Sequence, residues 1–180
     1  VNIGSILSFV LLEGYMLSAT LLLGGFALLR AQRSLIRQLL TYANALVLLG
    51  ATLLLVLTMQ SQFQLLNSKN DADYFALSNR MFGPYWFFYW SSLPWKGLLP
   101  QAFWRAKLRR NMMVTAVIAA LLLVDFFVPV LPAFYRDYLP SSWAMQPNYA
   151  GLVTSTGLFA VMLASFHGLL KWRRVVVSRG

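Results

Sequence analysis

The chain has 180 residues, 59% of them hydrophobic and only 11% charged, with 15 Lys+Arg against 5 Asp+Glu and a net charge of +10. Soluble domains carry about 25% charged residues, so a water-soluble fold is excluded, and the basic excess reflects a shortage of acids rather than a nucleic-acid-binding surface. The lack of Cys and the single His exclude disulfides, thiolate-bound zinc, iron–sulfur clusters and a bis-His haem held by one copy of this chain.

A bilayer core of about 30 Å takes roughly 20 apolar residues per helix. Five segments meet that length, at about 5–29, 39–66, 82–104, 112–134 and 149–172. The expected fold class is an all-α integral membrane protein with five transmembrane helices in one domain. The first segment lacks a basic leader and a small-residue cleavage site, so it reads as a span and not as a signal peptide. The second ends in Gln60, Gln62 and Gln64, of which 60 and 64 share a helical face. They line a polar cavity or hydrogen-bond across helices.

The third segment opens with Gly83-Pro84, where Pro is tolerated in a first turn, and contains Pro94 and Pro100. Each proline removes an intrahelical hydrogen bond, which predicts a kinked or broken helix packed on protein rather than lipid. Lys96 lies in this span toward its basic end. It pairs with a carboxylate or a freed carbonyl, or snorkels toward that end. Asn111 and Asn148 are placed to cap the fourth and fifth helices. The loops at about 67–81 and 135–148 form one surface. Trp86, Tyr89, Trp90, Trp104, Trp143 and Trp172 suit the interfacial belts.

Eleven basic residues fall in the loops and tail on one side and three on the other. The basic side is expected to face the cytoplasm, which puts the N-terminus outside and the C-terminus inside. The same residues serve as contacts for anionic lipids. Ionisable groups within spans cost roughly 2.5–3.5 kcal/mol each on insertion scales. Glu13 is placed about eight residues, or roughly 12 Å, below the outer end of its span. Asp125 is at a similar depth. With Gln60 they are the candidate proton path. The competing reading is two protonated or hydrogen-bonded acids that join helices. His167, near the inner end, reads as an interfacial hydrogen-bonding group. The sequence offers no nucleophilic triad, phosphate loop or metal-ligand cluster.

Three stretches carry a family resemblance. The first is Asn79-Arg80-Met81-Phe82-Gly83-Pro84-Tyr85, followed by Tyr89-Trp90. The second is Leu99-Pro100-Gln101-Ala102-Phe103-Trp104, followed by Leu108-Arg109-Arg110-Asn111. The third is Tyr135-Arg136-Asp137-Tyr138-Leu139-Pro140-Ser141-Ser142-Trp143-Ala144-Met145. In order and spacing these resemble the NrfD/polysulphide-reductase membrane-subunit family, closest to the ActC-type subunit of bacterial alternative complex III. Members are about twice this length, and the chain resembles their C-terminal half.

The resemblance implies a bacterial inner-membrane subunit of a quinol-oxidising complex. Quinol and the iron–sulfur or haem cofactors would then be bound in partner chains, with none in this one. Its partners would be a full-length NrfD-like subunit or a separate first half, together with extracytoplasmic iron–sulfur, molybdopterin-like and cytochrome subunits. Tyr135, Arg136, Asp137 and Trp143 would dock those peripheral subunits. The chain departs from the family at three sites, one of them Tyr135, which stands where members commonly have His before Arg-Asp. Thr41-Tyr42-Ala43-Asn44 stands where members often read His-Leu-Asp-Asn, and Asp125-Phe126-Phe127 stands where they often read Glu-Arg-Phe. The expected role is a scaffold that packs on a larger membrane subunit. A split catalytic or proton-translocating half and a transporter half without redox partners are the alternatives.

Overall fold

The computed structural model describes residues 3–68, 70–83, 86, 90, 93–127 and 149–177. Every regular element among them is helical. Helix α1 is Ile3–Leu28, and a 3-10 turn, Arg30–Gln32, leads into α2, Arg33–Leu66. A short helix, α3, covers Asp71–Phe82. A π-helical stretch, Leu93–Leu98, then passes into a 3-10 stretch, Leu99–Trp104. One turn of α4, Ala106–Arg109, precedes α5, Met112–Phe127, and α6 is Tyr149–Val177. Three helical stretches are long and apolar enough to cross a membrane: Ile6–Leu28, Arg30–Leu66 and Ala150–Trp172. The chain is therefore read as an all-helical, membrane-embedded protein.

Helix α1 is the centre of the bundle and packs against α2, α5 and α6. Its buried residues Leu11, Leu12, Tyr15, Met16 and Ala19 recur at three- and four-residue spacing, which makes one continuous stripe. On α2 the matching stripe is Ile36, Leu40, Ala43, Asn44, Val47 and Ala51, and on α5 it is Thr115, Ile118, Ala119 and Leu122. Small residues mark the closest approaches, as expected where lipid is as apolar as the side chains and contact must come from packing. A Cβ on Gly50 would lie 2.5 Å from the Leu11 Cβ. A Cβ on Gly14 would meet the Ser155 carbonyl oxygen and lie 2.5 Å from the Phe159 Cβ. Edge-to-face contact between Tyr15 and Phe159, with centroids 6.1 Å apart, extends this α1–α6 seam.

Helix α2 begins six residues before the expected 39. Arg33 explains the early start: its Nε donates to the Phe26 carbonyl at 3.2 Å, and its guanidinium lies 5.3 Å from the Phe26 ring centroid. A cation there meets the carbonyl end of α1, where the helix dipole favours it. The 3-10 turn completes a tight hairpin, with the Leu29 N–H donating to the Gly25 carbonyl at 2.7 Å.

The expected loop at 67–81 is largely helix α3, which corrects that assignment. The Asn67 amide donates to the Phe63 carbonyl at 2.8 Å and closes α2. Asn70 then accepts from the Ala72 N–H at 3.1 Å and opens α3, in the usual manner of an N-cap. Gly83 is the C-cap of this helix.

The predicted break in that third span is present as the π and 3-10 stretches. Pro94 and Pro100 remove two donors, and Gly97 lets this backbone press on α2, where a Cβ would lie 2.6 Å from Leu55. Gln101 restores the polar contacts. Its amide donates to the Gly97 carbonyl at 3.0 Å, while its Oε1 accepts from the Trp104 indole at 2.8 Å and from the Thr52 hydroxyl at 3.3 Å. Asn111 caps α5 as expected, accepting from the Met113 N–H at 2.9 Å. Asn148 and the expected fourth-span residues beyond 127 lie outside the described residues.

Gly14→Ala is expected to force α1 and α6 apart and to destabilise the protein by about 1–3 kcal/mol, the usual cost of overpacking. Gly157→Ala on α6, where a Cβ meets nothing within 4 Å, is expected to leave stability unchanged or raise it slightly. Thermal unfolding of both variants in the same detergent checks this pair.

Candidate functional site

Two polar regions stand out inside the bundle. The first is a closed network around Asn44, which is fully buried. Its Oδ1 accepts from the Tyr15 hydroxyl at 2.8 Å. Its Nδ2 donates to the Arg109 carbonyl at 2.8 Å and to the Thr115 hydroxyl at 2.7 Å. Thr115 in turn donates to the Asn111 carbonyl at 3.0 Å. One amide therefore joins α1, α2, the end of α4 and the start of α5. Arg109 ends α4 and offers one of the carbonyls that a helix terminus leaves without an internal partner.

Asn44 lies eleven residues, or roughly 16 Å, beyond the start of α2. The Arg105–Asn111 turn is thus held against the flank of the α1–α2 pair, which continues past it toward the Arg30–Gln32 hairpin. Other members of the Thr41–Asn44 segment are also engaged. The Thr41 hydroxyl donates to the Arg37 carbonyl at 2.9 Å, and Ala43 is fully buried. Tyr42 lies edge-to-face on Phe166, with centroids 5.5 Å apart, and 5.8 Å from the His167 ring. The expected hydrogen-bonding role of His167 is not seen at Nδ1, which is buried without a partner among the described residues.

The second region is a half-open cavity of about 390 Å³ near the N-terminal end of α1. Ser8, Glu13, Thr58, Ser61 and Lys96 supply its polar groups, and its walls include Leu12, Met16, Leu54 and Leu122. The broken segment Leu93–Leu98 carries Lys96 to the later half of α2, into the space that Glu13 lines. Gln60 is exposed and is not among the residues lining this cavity, whereas its neighbours Thr58 and Ser61 are. Asp125 belongs to α5, one turn beyond the lining residue Leu122, and its side chain lies outside the described residues. So do Tyr135, Arg136, Asp137 and Trp143.

The structure therefore joins Glu13 with Lys96 and separates both from Gln60. Sequence reading missed Tyr15, Thr115 and Gln101 as functional anchors. Each is a hydrogen-bonding side chain set in or beside an apolar run, and that is the signal that marks such residues for a partner. Among the described residues, no three His, Cys, Asp or Glu side chains gather as a metal site requires. The chain matches no family model, and no curated protein matches it at a significant level.

Replacing Asn44 by Leu removes three hydrogen bonds, and each such bond in a membrane bundle contributes about 0.6–1.7 kcal/mol. A loss of about 2–4 kcal/mol is expected, against about 1 kcal/mol for Tyr15→Phe. Equal melting temperatures for the two variants would contradict the central place given to Asn44.

Proposed function

We propose that the chain is a membrane subunit of a quinol-oxidising respiratory complex of the alternative complex III type, in a bacterial inner membrane. In this reading it has five spans, with its N-terminus outside. It packs on a full-length relative or a separate first half and holds peripheral redox subunits on the outer face. Quinol, iron–sulfur and haem chemistry resides in the partners. The resemblance at 79–85, 99–111 and 135–145 supports the assignment.

One observation favours a scaffold over a split catalytic half. The Thr41–Asn44 segment stands where the family often carries His and Asp. Here it is filled by a hydrogen-bonded Asn, a buried Ala and a Tyr packed on α6. The Asn44 amide oxygen and amide nitrogen are both engaged within the chain, and the segment carries neither the His nor the Asp that could exchange protons with a quinol. A network of this kind fixes helix positions, because separating the helices would strand polar groups in hydrocarbon.

Changing both Arg136 and Asp137 to Ala is expected to release the peripheral subunits while the helical domain keeps its melting temperature. Purification of the complex by a tag on this chain, with subunit quantification, provides the check. Full retention of every peripheral subunit would refute the docking role.

A further inference from the structure

Helix α3 presents an aromatic face that the described residues leave uncovered. Leu77 is buried, whereas Tyr74, Phe75 and Phe82 are 63%, 73% and 77% exposed. At 3.6 residues per turn these three rings and Ser78 fall within roughly 100° of arc. Asp71 shares the arc but stands in the first turn, next to the tip of α2. Both ends of α3 are tied to membrane-embedded segments. Its N-terminus follows the end of α2 after residues 67–70. Near its C-terminus the Trp90 indole donates to the Met81 carbonyl at 3.0 Å. Shortly beyond Trp90, at Leu93, begins the broken stretch whose Gly97 presses on Leu55 of α2. A helix standing upright on the membrane would carry Met81 roughly 15 Å away from it. The Trp90 bond holds Met81 beside the entry to the broken span instead, so α3 runs along the membrane surface.

We infer that α3 is an interfacial helix, with Tyr74, Phe75 and Phe82 set into the lipid surface where headgroups meet acyl chains. Depth supports this. Helix α2 has 34 residues, roughly 51 Å, against about 40–45 Å for a bilayer with its headgroups. The tip of α2 therefore reaches the headgroup layer, and α3, which leaves that tip and returns to the membrane, occupies the same layer. Continuity supports it too. Phe63 and Leu66, in the last turns of α2, are 69% and 61% exposed, so α2 keeps an exposed apolar side up to the point where α3 departs. Trp86 and Trp90, 52% and 41% exposed, extend the aromatic surface beyond α3. Aromatic rings with a polar edge settle at this depth. Asp71 is the only charged residue within the aromatic arc, so attraction to anionic headgroups plays no part. Apolar burial and the two tethers hold the helix down.

The chain has no Cys, so one introduced thiol can carry a nitroxide label without background. The test places the full chain in phosphatidylcholine vesicles, labelled in turn at Phe75→Cys, Phe82→Cys and Ala72→Cys. Ala72 is exposed and lies outside the aromatic arc. Collisions of each label with oxygen and with a water-soluble nickel chelate are read by electron paramagnetic resonance. The ratio of oxygen to nickel access at 75 and 82 is expected to exceed that at 72 by at least about threefold, as placement in the acyl boundary requires. Added phosphatidylglycerol is expected to leave the ratios unchanged. In the wild-type chain, a phosphatidylcholine with a photoactivatable group on its upper acyl chain is expected to form adducts within residues 74–82. Nickel access at 75 and 82 equal to that at 72 would overturn the inference. So would exclusion of both reagents there, which marks a protein cover, or the lack of adducts at 74–82 in the wild-type chain. Peripheral-subunit docking is read separately, through Arg136 and Asp137, so either reading can fail alone.

Discussion

A primary amide in the middle of an apolar bundle has to find partners, and Asn44 sets the arrangement of the helices around it. Hydrocarbon offers nothing to its N–H and C=O groups. Tyr15 from α1, Thr115 from α5 and the carbonyl of Arg109 supply what is missing. Three separate elements are drawn to one point on α2. The registry of α1 against α2 follows, and so does the placement of the Arg105–Asn111 turn partway along the pair. Apolar side chains alone would tolerate sliding by a turn. The directional hydrogen bonds of Asn44 do not.

The close contacts obey the same constraint. Gly50 admits Leu11, Gly14 admits Ser155 and Phe159, and Gly97 admits Leu55. These approaches let the backbones come near enough for short polar side chains to meet. The proline-broken segment Leu93–Trp104 depends on similar compensation, with Gln101 bonding to its own stretch and to Thr52 of α2. Irregular backbone at membrane depth survives only where neighbouring protein supplies partners. The break has a structural consequence, since it carries Lys96 to the space that Glu13 lines.

The two polar regions therefore differ in kind. The Asn44 network is closed, fully committed within the chain and suited to holding helices in place. The Glu13–Lys96 cavity is half-open and sets a few polar groups among apolar walls.

Composition alone determined membrane embedding, because 11% charged residues cannot solvate a folded surface of this size. Local chemistry in the sequence likewise located the Asn111 cap and the disturbed helix at Pro94 and Pro100, since each acts through its own backbone. The α3 helix was legible in principle from Asn70 followed by Asp71 and Asp73, but it was obscured by its short length. The buried face of α1 could not be read from hydropathy, because that helix is apolar on nearly all sides and only packing separates Tyr15 from its neighbours. The pairing of Glu13 with Lys96 in one cavity, and the exclusion of Gln60 from it, depended on the path of a broken helix. Tertiary structure decided these points, because a π and 3-10 stretch has no fixed period from which a side chain's depth and direction can be counted.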